Sequence, residues 1–193
     1  MKIYKVELDV NNYQQFVVES DEPEIYKKKL KFIDCKPKSG NWNPPTIRVF
    51  NPMLEKGDFY RLAVGTFAMN IKAMDLLRTE CELAGEVLPI KCGKEQFYAI
   101  NILECVNCLD HLNCKFDIDE EFTDKNGNPV IDDIEVYAFL EGMLPEASIF
   151  KIPEDICGIY TYTGHKNPED EFKNIVDSNN LKGLKFKLIY STS

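Results

Sequence analysis

Gly85 to Phe116 reads GEVLPIKCGKEQFYAINILECVNCLDHLNCKF, and the reading of the whole chain turns on it. Gly85 suits a left-handed helix stop, and Val87, Leu88 and Ile90 lead to a turn at Cys92, Gly93 and Lys94. From Phe97 to Leu103 the period is two. Tyr98, Ile100 and Ile102 fall on one face of a strand, and Phe97, Ala99 and Leu103 on the other. The pattern predicts a buried hairpin. Asn101 sits between two isoleucines, and Asp110 closes the second strand after Leu109. A buried amide without partners costs about 1–3 kcal/mol, so both are read as structural hydrogen-bonders.

Upstream, Asn70 is a helix cap, with Ile71, Met74, Leu77 and Cys81 at helical spacing after it. A helix over 70–84 therefore packs a Met/Leu stripe on the sheet. Residues 2–8 and 14–18 predict two short strands about an Asn11-Asn12 turn, a hairpin. Short strands at Thr46–Phe50 and Phe59–Val64 flank a turn at Lys56-Gly57-Asp58. The only Trp, Trp42, stands in the loop SGNWNPP, where plugging a core edge is preferred to anchoring a partner. Downstream, strands are expected over Glu135–Phe139, Ser148–Ile152, Ile156–Tyr162 and Leu184–Tyr190. Asn167-Pro168 opens a second helix over 168–178, with Phe172, Ile175 and Val176 as its buried stripe. The fold class is α+β, mainly antiparallel sheet with two principal helices. One domain spans 1–193, its first 65 residues forming a β-rich extension.

Composition narrows the function. The 193 residues carry 32 acids against 23 Lys and Arg, a net charge of −9, which disfavours direct nucleic-acid binding and favours a basic partner. No apolar run reaches the roughly 20 residues of a membrane span. Seven cysteines without a dense framework, and no signal peptide, point to free thiols in a cytoplasmic protein. Charge is most polarised between Asp117 and Glu135, DIDEEFTDKNGNPVIDDIE, where eight acids meet one lysine. Asn126-Gly127-Asn128 makes this a hairpin with acids on both arms. Asp124 to Asn128 lacks the glycine position and closing Glu of a calcium loop, so turn chemistry explains it.

Cys105, Cys108, His111 and Cys114 have ligand types that zinc accepts. The run starts in a strand and lacks two separated knuckles, so a segment rich in buried thiols is preferred to a metal site. His111 and His165 lie in no nucleophile motif. Carboxylate pairs such as Asp132-Asp133 and Asp117-Asp119 are read as hydrated faces before acid–base machinery, and no phosphate-binding or dinucleotide fingerprint occurs. No catalytic residue and no cofactor are assigned.

Leu88-Pro89, Tyr98-Ala99-Ile100-Asn101, Leu109-Asp110, Ile149-Phe150 and Leu181-Lys182-Gly183-Leu184-Lys185-Phe186, in this order and spacing, resemble a family of bacterial immunity proteins. It is the eleventh catalogued immunity family of polymorphic toxin systems, formerly a domain of unknown function. The resemblance is strongest from about Asn70 onward. The chain departs from the pattern at Cys114, where the family carries a small residue, often Ser. The resemblance implies structural roles for Pro89, Tyr98, Asn101, Asp110, Phe150, Gly183 and Phe186, and a non-catalytic protein that binds and neutralises a cognate toxin. Asp117, Asp119, Glu120, Glu121, Asp124, Asp132 and Asp133 are expected to face a basic toxin, on charge alone. The rival readings are a metal-binding or hydrolytic enzyme built on the Cys/His run, and a structural interaction module.

Overall fold

In the computed structural model, which describes residues 1–19, 30–123 and 129–192, the quoted stretch forms two paired strands, β6 (Gly85–Cys92) and β7 (Glu95–Ile102). Alternation along β7 divides the core as the sequence predicts. Tyr98, Ile100 and Ile102 meet one apolar cluster, while Phe97 and Ala99 meet another with Leu88, Ile90, Phe16 and Tyr60. Pro89 lacks a backbone donor. Strand β3 (Ile47–Val49) reaches β6 only at Cys92, so the flank at Pro89 needs none, and its carbonyl instead accepts the Trp42 indole N–H at 2.8 Å.

Helix α1 (Ile71–Ala84) starts where expected, with the Asn70 side chain accepting from Ala73 N at 2.9 Å. Ala73, Met74, Leu77, Cys81 and Ala84 are buried against the first cluster. Ile71 is not part of that stripe; it is 57% exposed. Gly85 is not a left-handed stop either. Its φ of 165° is extended backbone, and it passes directly from helix to strand, where a Cβ would strike the Asn101 carbonyl.

Before α1 lies a strand that the sequence does not signal, β5 (Thr66–Asn70), joining β4 (Phe59–Ala63) to β7. With β2 (Phe16–Val18) these make a six-stranded sheet in the order β2-β3-β6-β7-β5-β4, antiparallel except between β3 and β6. A second, antiparallel sheet has the order β10-β11-β1-β12, from β1 (Lys2–Leu8), β10 (Ile149–Ile152), β11 (Asp155–Thr163) and β12 (Leu184–Ser191). The expected hairpin of residues 2–8 with 14–18 therefore does not form. β1 is instead an interior strand of the second sheet, because both its edges find longer partners in β11 and β12.

Two further expectations are revised. β7 ends at Ile102, so Asp110 opens a turn rather than closing a strand, accepting from Leu112 N at 3.2 Å and Asn113 Nδ2 at 2.7 Å. The second helix is split into a 3-10 turn at Pro168–Asp170 and α2 (Phe172–Ser178). Glu171 breaks it: fully buried, its carboxylate accepts from His165 N, Lys166 N and Asn174 Nδ2. Among the described residues no helix is long and apolar enough to cross a membrane.

Candidate partner-binding surface

The acidic stretch folds into β8 (Lys115–Thr123) and β9 (Pro129–Val136), which pair with each other and with no other strand. The strand expected at Glu135–Phe139 thus lies earlier, and Phe139 makes only an isolated bridge to Leu109. The hairpin is rooted on a third apolar cluster, which includes Ile3, Phe150, Tyr160 and Tyr162 of the second sheet, by Ile134, which is buried, and by Phe116 and Ile131, which are partly so.

Its register sets Asp117 directly opposite Asp133. Like charges so placed destabilise a strand pair. Asp117, Glu121, Asp132 and Asp133 are exposed and Asp119 is half-buried; Asp119 accepts from Glu121 N at 2.9 Å and Asp133 from Ile134 N at 2.8 Å. Among the described residues none of these five is in an ion pair, whereas Glu135 holds Lys115. Ile118, Val130 and Val136 are also exposed, at 45%, 39% and 49%, so the surface offers negative charge interleaved with apolar area. Asp124, Lys125 and the Asn126-Gly127-Asn128 turn lie outside the described residues, and for Glu120 only the backbone, within β8, is described.

Topology adds residues that spacing alone does not reveal. A cleft of about 380 Å³ runs between β9 and the β10–β11 turn, lined by Asp132 and Asp133 on one side and Glu154 and Asp155 on the other, with Lys5 from β1. Lys5 is committed to Asp155 at 2.7 Å, and Tyr160 Oη donates to the same carboxylate at 2.6 Å. Burial works to raise the Asp155 carboxyl, but these two bonds outweigh it and hold the group below its usual range. Glu154 Oε1 lies 2.5 Å from His111 Nε2. A Pro-Glu-Asp turn between two apolar runs is the sole local hint of this wall.

The thiol run is not assembled as a site. Cys105 bridges to Lys151, Cys108 is fully buried, Cys114 Sγ exchanges hydrogen bonds with the Ala138 backbone, and the His111 side chain turns to Glu154. Burial pushes both Cys105 and Cys108 up to about 12, and raises Cys114, so these are thiols at neutral pH. Among the described residues no group of three or more His, Cys, Asp or Glu is arranged to hold a metal.

The residues quoted for the resemblance serve the fold, and Asp110 among them lies within the thiol run itself. Phe150 is fully buried, Tyr98 and Phe186 pack at the edge of the first cluster, and Pro89 takes Trp42. Asn101, fully buried, donates to Lys36 O at 2.9 Å and Glu86 Oε2 at 2.8 Å. Gly183, at φ +112°, lets the Lys182 carbonyl accept from both Asp58 N and Phe59 N. Compared with protein-family models and with curated proteins, the chain matches none.

Proposed function

We propose that the protein is an immunity protein, binding a cognate toxin stoichiometrically and without chemistry of its own. The single observation that carries this reading is the β8–β9 hairpin, which pairs with neither sheet and sets Asp117 opposite Asp133, with neither in an ion pair among the described residues. Such an arrangement is unfavourable in the free protein and becomes favourable against a basic surface. The order and spacing of the motifs from Leu88 to Phe186 support the same reading. The negative potential speeds encounter, and the interleaved Ile118, Val130 and Val136 supply apolar contact once the surfaces meet.

Co-expression with the neighbouring gene tests it: growth should be rescued and a one-to-one complex should co-purify. No rescue and no complex with any neighbouring gene product would sink the proposal. Within the complex, Asp117→Lys with Asp133→Lys should weaken binding at least tenfold and flatten its salt dependence, measured by calorimetry at two ionic strengths.

A further inference from the structure

The six-stranded sheet ends in β2 on one side and β4 on the other, and it curls until these two edges face each other. Phe16 of β2 stacks on Tyr60 of β4, ring centroids 4.5 Å apart and planes within 4°, yet among the described residues the two strands do not pair. The open seam leads into a cavity of about 740 Å³, within the range of small-molecule sites, which favour the mouths of rolled sheets. Phe16, Leu30, Phe32 and Leu62 line it and are buried members of the cluster that receives Phe97 and Ala99, so its floor is the core itself. Phe50 and Val64 line it too, and are 61% and 55% exposed, so apolar side chains run from the core out to solvent. Charge here runs against the rest of the molecule. In a chain of net charge −9, the charged residues along the cavity are Lys31 and Arg61, and no acid stands among the described lining. Both cations are exposed, and among the described residues neither is in an ion pair. Asp34, three residues beyond Lys31, is taken by Lys38 at 3.1 Å and does not line the cavity.

We infer that the seam between β2 and β4 binds a free fatty carboxylate, its chain laid on the apolar floor and its head held by Lys31 and Arg61. The step is independent of the acidic hairpin and of the function proposed above. An occupant of this cavity has to match two features at once, an apolar interior and a mouth that carries positive charge only. A single-chain carboxylate has both. The guanidinium of Arg61 presents its N–H donors in a planar fork that fits two carboxylate oxygens, and the Lys31 ammonium adds a second charge. Each methylene that leaves water for the floor strengthens binding roughly fourfold, so length matters as well as charge. A basic partner of the kind suited to the β8–β9 hairpin is repelled here, because the two surfaces have opposite sign. The floor lies within the core, below the reach of a flat lipid surface, so the source is a free chain in solution and not a membrane headgroup.

The full chain is titrated calorimetrically with decanoate below its micelle concentration, and in parallel with hexanoate, decanol and decyltrimethylammonium. One saturable site for decanoate is expected, with hexanoate at least tenfold weaker and the uncharged and cationic compounds at least fivefold weaker. In isotope-labelled protein, decanoate should move the backbone amides of Phe16, Phe32, Leu62 and Val64. Lys31→Gln combined with Arg61→Gln, both at exposed positions, should weaken decanoate at least fivefold and leave decanol unchanged, a split that a merely structural effect would not give. Absence of saturable binding, equal affinity for the three ten-carbon compounds, a double variant that binds decanoate as the parent does, or shifts confined to other parts of the molecule would overturn the inference. So would a protein that sediments with phosphatidylglycerol vesicles and ignores decanoate in solution, since the cations would then serve a membrane surface. None of these outcomes bears on protection against a toxin, which co-expression measures separately.

Discussion

At the scale of single residues, Glu80 joins three parts of the chain. Buried in α1, its Oε2 accepts from the Ser148 N–H at 2.9 Å and from the Ser148 hydroxyl at 2.5 Å, and its Oε1 from Lys166 Nζ at 2.6 Å. Ser148 Oγ in turn accepts from Phe172 N, at the start of α2. Glu80→Ala should cost about 3 kcal/mol, because it strands a buried hydroxyl and N–H together, and chemical denaturation would measure it. Asp155 gives a pH dependence. Its lowered pKa means its stabilising contribution is complete above the unfolded value of 3.8 and disappears as pH falls through the native value. Asp155→Asn should therefore lower stability at neutral pH and flatten the acid limb of a stability–pH curve. Residue identity was legible where burial forced a partner. Asn101 reads as a hydrogen-bonder from its two flanking isoleucines, while its partners, Lys36 O and Glu86 Oε2, are set by the fold. Glu86 was not legible: it is an ordinary surface acid in sequence, yet it accepts from the Lys38 and Ser39 backbone, and these bonds together with Ser39 Oγ and Asn101 overcome burial and lower its pKa.

At the scale of elements, the join between α1 and β6 is the tightest point. With no loop between them, Gly85 lies against the β7 backbone at Asn101 and Leu103. Gly85→Ala should destabilise by about 3 kcal/mol, since a backbone carbonyl and not a yielding side chain is in the way, and the thermal midpoint would show it. The periodic elements were readable. α1 repeats at three and four with a capping Asn70, and β7 repeats at two, one face on each of two apolar clusters. β5 was not, because Thr66 to Met69 is buried on every side and carries no alternation to distinguish strand from helix approach. The β1–β2 pairing failed for a different reason: local turn residues argue only for a reversal, while pairing is decided by which edges are open, and β11 and β12 are 150 residues or more away.

For the molecule as a whole, the acidic surface was visible in composition and its cleft was not. The count of charges between Asp117 and Glu135 needs only the sequence. That Glu154 and Asp155 stand across from Asp132 and Asp133 needs the topology, with β1 threaded between β11 and β12 so that Lys5 enters the same space. The opposition of Asp117 and Asp133 has a consequence for any effort to harden this protein. Neutralising either, as Asp117→Asn or Asp133→Asn, should raise the stability of the isolated chain by about 0.2–1 kcal/mol, read from its melting temperature at low salt. A screen that rewarded heat resistance alone would accumulate such changes and breed a sturdier molecule that had forgotten its toxin.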